Sequence, residues 1–244
     1  MCDNVVGLGS SHDGGYASFA RVINADVNCV RIPDDIDSVS AAAMGCRYIT
    51  AYRALVTVGG LRAGEWLAVH GAGAVGLSAV QIGAAAGARV IVTDIDEAKL
   101  DFARAQGAEM TIPARGTDPA QAIIDATGGG ADVSLDAVGL PATVTASLGC
   151  LRKRGRHVQV GLSGLAEMSG VDFPLFLLVS RELQIMGSVG HPHGQFRELF
   201  ALVQSGRCRP RELVTREIGL EEATGVLQAM DTYATIGFNV ITRF

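Results

Sequence analysis

The chain has 244 residues, which is enough for one large or two modest domains with a sizeable buried core. Apolar residues make up 48% and charged residues 18%, a composition that excludes a protein disordered over most of its length. The formal net charge of −5 gives no general attraction to nucleic acid or anionic lipid, and no apolar run predicts a membrane span or a signal peptide. The five cysteines contain no CxxC pair, so we expect reduced thiols in a cytoplasmic protein without nucleic-acid or membrane partners.

Both ends of the chain are too small to be independent domains, so we expect them to form parts of one domain. In the first part, Tyr16–Ile23 alternates in polarity and predicts a strand; Cys29–Ile32, a turn at Pro33–Asp35 and a helix from near Ser38 follow. In the last part we predict helices at Gln195–Ser205 and Glu221–Met230 and a strand near Gly237–Arg243.

Between these ends, short β-branched runs alternate with helical stretches, which is the pattern of βαβ units on a parallel sheet. The predicted strands are Trp66–Gly71, Arg89–Asp94, Glu109–Ile112, Asp132–Ala137, Arg156–Gly161 and Leu183–Ser188. The predicted helices are Val75–Ala86, Glu97–Gln106, Pro119–Thr127, Pro141–Leu151 and Pro174–Leu178. Several strands are apolar on both faces, as in a sheet that helices cover on both sides. We therefore predict an α/β fold with a doubly wound, parallel, six-stranded sheet of the Rossmann type.

A GxGxxG motif follows the first of these strands and opens the first of these helices. In this motif the first glycine allows a tight turn, the second lets a pyrophosphate approach the backbone, and the third lets helix and strand pack closely. The N–H groups at the helix N-terminus then face the phosphates. A flexible turn is the alternative in a chain with 31 glycines, but the strand and helix on either side favour dinucleotide binding. The predicted cofactor-binding residues here are Gly71, Gly73, Ala74, Val75 and Gly76.

Asp94 ends the second predicted strand, 23 residues after Gly71. This offset is typical of an acid that accepts hydrogen bonds from the adenosine ribose. Because a carboxylate repels a 2′-phosphate, Asp94 favours NAD(H) over NADP(H). Asp96 could share this contact, and Lys99 could reach the same ribose from the following helix. The structural alternative for Asp94 is an acid that ends a strand or caps a helix. The structural alternative for Lys99 is a solvated helix residue.

A series of short segments extends these motifs over essentially the whole chain. They are GGYA at 14–17, IPD at 32–34, GCRYITAY at 45–52, LRAGE at 61–65, VTDID at 92–96, DAVG at 136–139, VQVGL at 158–162 and IMGS at 185–188. In this order they resemble the zinc-dependent alcohol dehydrogenases of the medium-chain dehydrogenase/reductase superfamily. The resemblance implies NAD(H) and zinc as cofactors, an alcohol, aldehyde or ketone as substrate, and a homo-oligomer, either a dimer or a tetramer.

The resemblance also implies roles for individual residues. Cys46 matches a protein ligand of the catalytic zinc, and Thr50 matches a residue packed against the nicotinamide. The positions that line the nicotinamide half of the cofactor, largely through backbone atoms, are Val138, Val160, Gly161, Leu162 and Ser188. In the family, zinc polarises the substrate oxygen while hydride passes to or from C4 of the nicotinamide.

The chain departs from the family at the zinc ligands. A catalytic zinc needs about three protein ligands and an open position. The family supplies the others from an upstream cysteine and a Gly-His-Glu segment, and neither occurs in this sequence. His191 and His193 follow the last predicted sheet strand and are candidate ligands, with plain loop residues as the alternative. Without partners, Cys46 would be a small buried hydrophobe.

The beginning of the chain suggests that part of the family's layout precedes it. Cys2 resembles the last of the four cysteines that hold the family's structural zinc, so we expect about one hundred residues of that layout before Met1. The implied domains are residues 1–45, the C-terminal portion of a GroES-like catalytic domain; 46–190, the Rossmann NAD-binding domain; and 191–244, a return segment to the catalytic domain. Such remnants should expose apolar surface and strand edges, and we expect poor solubility.

Two weaker patterns complete the analysis. The densest basic cluster, Arg152, Lys153, Arg154 and Arg156, is predicted to lie at a helix end, where cations favour the negative end of the dipole, rather than to bind nucleic acid. Leu183–Ser188 is predicted at a sheet edge, where a second copy of the chain could pair.

Three functional hypotheses remain open from the sequence. The leading one is an NAD-dependent, zinc-requiring alcohol dehydrogenase, represented by a chain that lacks the N-terminal zinc ligands and is inactive alone. The second is an NAD(H)-binding module without catalysis. The third is a zinc-free reductase similar to quinone reductases, in which Cys46 is incidental.

Overall fold

The computed structural model describes residues 6–162, 174–190, 193–230, 232 and 235–244. Its centre is a parallel sheet of six strands in the order β3-β2-β1-β4-β5-β6. The strands are β1 Trp66–His70, β2 Arg89–Asp94, β3 Met110–Pro113, β4 Ala131–Asp136, β5 Leu151–Gln159 and β6 Gln184–Gly187. The strand order reverses its direction between β1 and β4, which creates the crevice where doubly wound folds bind ligands. The predicted Rossmann-type sheet is therefore confirmed.

Helices of varied length surround this sheet. The α-helices are α1 Ala25–Asn28, α2 Ser38–Ala43, α3 Ile49–Tyr52, α4 Ala74–Ala85, α5 Glu97–Ala105, α6 Pro119–Thr127, α7 Pro141–Gly149, α8 Leu175–Ser180, α9 Phe196–Gln204 and α10 Ala223–Met230. A π-helical segment, Met44–Tyr48, connects α2 to α3 with a kink at Gly45, and a second one, Arg53–Val58, follows α3, so residues 38–58 form a kinked helical run. Short 3₁₀ turns lie at His193–Gln195, Pro210–Leu213 and Leu220–Glu222. No helix in the described part of the chain is long and apolar enough to cross a bilayer.

The sheet is buried on both faces because alternate side chains of its strands enter two separate cores. In β1, Leu67 and Val69 face the core shared with α4 and the helical run 38–58, whereas Ala68 faces the core shared with α6 and α7. In β2, Ile91 faces the second core. This is the period of two expected for a strand, with apolar residues on both sides.

Local sequence explains where the outer helices begin. The Asp96 carboxylate accepts a hydrogen bond from Ala98 N at 2.9 Å and caps α5. Asp118 caps α6 in the same way, and Pro119 occupies the first helical turn, where its missing N–H costs nothing. At the end of α6, Gly128 adopts a positive φ of 71°, as a helix-terminating glycine does. These caps explain why the predicted bounds of α5 and α6 agree with the structure to within one residue.

The predicted boundary between α7 and β5 was wrong. The helix stops at Gly149, and the strand already begins at Leu151, although its pairing with β4 is irregular between Leu151 and Arg156. The basic cluster therefore lies in this irregular strand start and not at a helix end. Its arginines are used in ion pairs: Arg152 contacts Asp132 at 2.5 Å, and Arg156 contacts Glu65 at 2.5 Å.

The predicted strand Tyr16–Ile23 was also wrong. These residues form bends and an unpaired extended segment, and no strand pairs with them among residues 6–162. A strand needs a neighbouring backbone to satisfy its N–H and C=O groups, and alternating polarity alone does not provide one. Consequently Phe19 is 93% exposed. This apolar exposure agrees with the expected behaviour of the flanks, whereas poor solubility stays a prediction.

The last part of the chain packs back against the first core. Leu199 and Phe200 of α9 are buried there, and two further strands, β7 Val214–Gly219 and β8 Phe238–Arg243, pair in parallel. The cysteines within the described residues, Cys29, Cys46, Cys150 and Cys208, are all free thiols, as predicted.

Candidate functional site

The glycine motif forms the turn between β1 and α4 and shows a distinct environment at each glycine. Gly71 has a positive φ of 94°, a conformation that side chains rarely allow. A Cβ at Gly76 would overlap the carbonyl oxygen of Gly71, so only glycine permits this close packing of helix and turn. Around Gly73, in contrast, no atom lies within 4 Å of where a Cβ would be. The motif therefore builds a tight turn with open space at its middle glycine.

Helix α4 begins directly behind this open space. Gly73 is its N-cap residue, and no side chain makes a capping hydrogen bond there. The twelve-residue helix thus presents backbone N–H groups and the positive end of its dipole to whatever lies above Gly73. A pyrophosphate is the kind of group that fits this position.

Asp94, the last residue of β2, is bound to this turn. One carboxylate oxygen accepts a hydrogen bond from Ala72 N at 2.6 Å, and the other accepts from Asp96 N at 3.0 Å. Each oxygen has a second lone pair, so acceptor capacity remains for hydroxyl groups. Asp96 uses its own carboxylate to cap α5. Lys99 is buried in the first turns of that helix, 6% exposed, so the alternative of a solvated lysine was wrong. The Asp94 contact with the glycine turn was not predicted from the sequence.

The other predicted cofactor residues lie on the opposite side of β1. Val138 follows β4, Val160, Gly161 and Leu162 follow β5, and Ser188 follows β6, so all stand at the carboxyl edge of the sheet. Val138 and Val160 are half-buried, and Leu162 is exposed. Because parallel strands end at the same edge, the fold brings together residues that are distant in sequence.

Two of the predicted site residues have hydroxyl groups without a hydrogen-bond partner. Thr50 is 7% exposed and Ser188 is 9% exposed, and neither side-chain oxygen makes a hydrogen bond in the structure. A buried hydroxyl without a partner costs free energy, so such groups usually serve a ligand or an ordered water. Together with the open space at Gly73, they fit a dinucleotide that crosses from β2 to β6.

Asp136 is a residue that sequence reasoning missed. It is fully buried at the end of β4, and its carboxylate accepts hydrogen bonds from Val138 N at 2.8 Å and Gly139 N at 3.0 Å. Asp136 therefore supports the turn after β4, much as Asp94 supports the turn after β1. A signal was present in the sequence, because an acid ends this strand just as Asp94 ends β2.

The zinc prediction is not matched by a complete ligand set. Cys46 lies in the first π-helical segment and is exposed, so the alternative of a small buried hydrophobe was wrong. Within the described residues, no three His, Cys, Asp or Glu side chains stand close enough together to hold a metal ion. Cys2, His191 and the side chain of His193 lie outside the described residues. Among the described residues, Cys46 therefore lacks the partner ligands that would complete a zinc site.

Two buried histidines, His70 of β1 and His157 of β5, lie in the sheet rather than in the crevice. His70 of β1 is 1% exposed and faces Thr93 Oγ1 at 3.3 Å and Cys150 Sγ at 3.6 Å. Burial lowers the pKa of His70 to about 3 and raises the pKa of the Cys150 thiol to about 12. His70 and Cys150 are therefore neutral at neutral pH, and they serve the core.

Comparisons with known proteins agree with this geometry. The zinc-binding dehydrogenase family profile matches residues 74–205. An alcohol dehydrogenase of Geobacillus stearothermophilus is 32% identical over 231 residues, which cover 95% of this chain and 65% of that protein. An NAD-dependent alcohol dehydrogenase of Sulfurisphaera tokodaii is 31% identical over 244 residues, covering 99% of this chain and 68% of the relative.

A solved structure shows the same fold. The alcohol dehydrogenase of the hyperthermophilic archaeon Aeropyrum pernix superposes with a TM-score of 0.86 and 32% identity over 98% of this chain and 68% of that one. The chain thus spans about two thirds of the length of these three relatives. The chain belongs to the zinc-binding dehydrogenase family of the medium-chain dehydrogenase/reductase superfamily.

Proposed function

We propose that the chain binds NAD(H) and takes part in hydride transfer between an alcohol and the corresponding aldehyde or ketone. The observation that carries this proposal is the arrangement at the carboxyl ends of β1 and β2, where Asp94 holds the glycine turn beneath the uncapped N-terminus of α4. The names of the relatives from Geobacillus and Sulfurisphaera support the same reaction class.

In this proposal each part of the crevice holds one part of the cofactor. The adenosine ribose lies on Asp94, with Lys99 near it, and the pyrophosphate lies above Gly73, Ala74 and Val75. The nicotinamide half then crosses to the other side of β1. There Thr50 and Ser188 offer their unpartnered hydroxyls, and Val138, Val160, Gly161 and Leu162 offer backbone atoms. When bound, the cofactor supplies hydride chemistry at C4 of its nicotinamide.

We assign no reaction step to zinc. Cys46 corresponds by resemblance to one ligand of a catalytic zinc, but the described residues do not complete a ligand set. This observation favours a second candidate function, namely NAD(H) binding without catalysis. The zinc-free reductase is the third candidate, and it predicts a preference for NADPH, which the Asp94 carboxylate opposes.

The proposal is tested by titrating the 244-residue chain with NADH and NADPH and following cofactor fluorescence. Asp94→Asn keeps the shape of the side chain but removes its charge. We expect NADH to bind more weakly and the preference for NADH over NADPH to fall by at least about tenfold. Asp125→Asn, in an exposed carboxyl on α6, is the matched control and should change neither affinity. Unaltered selectivity in Asp94→Asn would contradict the ribose assignment.

The candidate functions differ in two further measurements on the same sample. A chain that carries out the dehydrogenase reaction by itself, contrary to the inactivity expected from the sequence, should oxidise alcohols with NAD and hold stoichiometric zinc that a chelator removes. A binding module should show NADH fluorescence enhancement with neither zinc nor turnover. A zinc-free reductase should prefer NADPH and keep its activity in the presence of a chelator.

Self-association is also part of the proposal. Strand β6 lies at the edge of the sheet, and Leu175, Phe176 and Val179 of the neighbouring α8 are exposed. An unpaired strand edge beside an apolar surface favours pairing with a second copy of the chain. Light scattering should therefore report a dimer or a tetramer, and a monodisperse monomer would contradict this part.

A further inference from the structure

A chain of buried polar side chains runs along β5 toward the turns at the carboxyl ends of β4 and β5. His157 Nδ1 lies 3.1 Å from Ser134 Oγ and 3.0 Å from Ser147 Oγ, and His157 Nε2 lies 3.0 Å from Gln159 Oε1. His157 is 1% exposed, and burial lowers its pKa, so the ring is neutral at neutral pH. These contacts are not accounted for by the dinucleotide site itself.

The direction of each hydrogen bond in this chain follows from its far end. Gln159 Nε2 lies 2.8 Å from the Gly161 carbonyl oxygen and 3.2 Å from Asp136 Oδ2, and both of these atoms are acceptors. The amide NH₂ group must therefore face them, and the amide oxygen must face His157. It follows that His157 Nε2–H donates to Gln159 and that Nδ1 is the acceptor facing the two serine hydroxyls, with one lone pair for them to share. The side-chain amide of Gln159 thus has one favourable orientation.

Gln159 connects two turns that are also in direct contact. The Asp136 carboxylate accepts from Val138 N and Gly139 N, and it accepts from Thr143 Oγ1 at 3.0 Å. Gly139 and Gly161 pack backbone to backbone so closely that a Cβ at either position would overlap the other turn. The spacing of the turns is therefore set by the two glycines. Gln159 holds the Gly161 carbonyl oxygen and ties it to the Asp136 carboxylate, which Val138 N, Gly139 N and Thr143 already fix in place.

We propose that Gln159 is a positioning residue for the nicotinamide half of the bound dinucleotide. This inference rests on the proposed function. With the adenosine ribose on Asp94 and the pyrophosphate above Gly73, the other half of a dinucleotide must pass the ends of β4 and β5. The backbone there is the surface whose orientation Gln159 holds. Gln159 acts through Gly161 and Asp136 and does not itself take part in hydride transfer.

The test separates the two halves of the cofactor. We would titrate the 244-residue chain with NADH, followed by fluorescence, and with ADP-ribose, which lacks the nicotinamide, followed by calorimetry. Gln159→Met keeps the length and much of the volume of the side chain but removes both polar groups. Gln159→Glu keeps the acceptor beside His157 but places a carboxylate oxygen against the Gly161 carbonyl and Asp136. Gln121→Met, at an exposed glutamine on α6 that donates to Asp125, is the control.

We expect both Gln159 variants to bind NADH about tenfold more weakly, with ADP-ribose affinity within about twofold of the unaltered chain. The emission maximum of bound NADH should also shift toward that of free NADH, because its ring is held less firmly. The Gln121 variant should match the unaltered chain with both ligands.

Other outcomes overturn the inference in distinguishable ways. Unchanged NADH affinity and emission in both variants would show that Gln159 does not position the nicotinamide half. Parallel loss of NADH and ADP-ribose binding would assign Gln159 to the fold alone. If the unaltered chain binds neither ligand, the proposed function itself fails, whatever the variants do.

Discussion

The sheet unit and the N-terminal segment 6–37 share apolar, partly alternating sequences but differ sharply in burial. In the sheet unit, Leu67, Val69, Ile91 and Leu135 have no exposed surface. In segment 6–37, Ile36 is the buried residue, whereas Tyr16, Phe19 and other large apolar side chains lie in water. The inner strands β1, β2, β4 and β5 have a parallel neighbour on each side and pack against helices, whereas no strand of the described residues pairs with the segment. A periodic pattern becomes a strand only where a partner backbone and a covering layer are supplied.

Glycine substitutions should give the largest difference in stability between the sheet unit and segment 6–37. Gly76→Ala should cost about 4 kcal/mol or more of unfolding free energy, because its Cβ would overlap the Gly71 carbonyl oxygen. A Cβ at Gly15, in the N-terminal segment, would meet nothing within 4 Å. Gly15→Ala should therefore change the free energy of unfolding by less than about 0.5 kcal/mol. Urea unfolding followed by circular dichroism measures both. Equal midpoints for the two variants would show that α4 does not pack on its turn as the structure describes.

Apolar truncations probe the same contrast in the cores. Leu135→Ala, next to the last residue of β4, removes a side chain with no exposed surface and should cost about 2–5 kcal/mol. Phe19→Ala removes a larger side chain that is 93% exposed, and its effect should stay below about 0.5 kcal/mol. If the Phe19 variant were as costly as the Leu135 variant, segment 6–37 would have to be packed in solution.

The buried histidines predict that acid weakens the sheet unit. Burial lowers the pKa of His70 to about 3 and also lowers the pKa of His157 in the folded chain. Below about pH 6.5 these histidines bind protons in the unfolded chain but stay neutral in the folded chain. The free energy of unfolding therefore falls as the pH falls. His70 can contribute up to about 1.4 kcal/mol per pH unit, or about 1.6 kcal/mol between pH 6.5 and 5, and His157 contributes in the same direction.

Chemical unfolding at several pH values measures this loss. His70→Asn should reduce the dependence of unfolding free energy on pH over this range, because only one of the two buried histidines is then left to bind a proton on unfolding. A pH dependence that is the same with and without His70 would contradict the neutral, buried state of its ring.

Ion pairs give the smallest expected difference. Glu65 and Arg156 lie 2.5 Å apart with side chains 17% exposed, and Arg156 also donates to the Gly60 carbonyl oxygen. Glu65→Gln should cost about 1 kcal/mol, because it leaves a partly buried guanidinium without its counter-charge. Arg31 and Asp34 are 88% and 90% exposed, so Asp34→Asn should have an effect below about 0.5 kcal/mol. If Glu65→Gln and Asp34→Asn changed the free energy of unfolding in urea equally, the ion pair in the sheet unit would be no more stabilising than the exposed pair in segment 6–37.

The two strand-end acids show how far sequence reasoning reached into the candidate site. Asp94 was predicted because it follows a glycine motif at a known spacing, and spacing is local information. Gln159 was missed because its contact with Asp136 depends on the register of β4 against β5, which pairs the two residues. Asp136 was missed although its contacts with Val138 N and Gly139 N are local and its position at a strand end was a signal. The zinc assignment of Cys46 stays a prediction, since the ligands it would need are not brought together within the described residues.

The sequence by itself determined the parallel sheet, its helices and the glycine turn, because strand period, helix caps and glycine spacing act over a few residues. Only the tertiary structure decided three other features: that Tyr16–Ile23 has no partner strand, that the basic cluster belongs to an irregular part of β5, and that Gln159 joins two turns. Each of these depends on atoms that are distant in sequence, and the energy of a hydrogen bond or a buried surface is set by such neighbours.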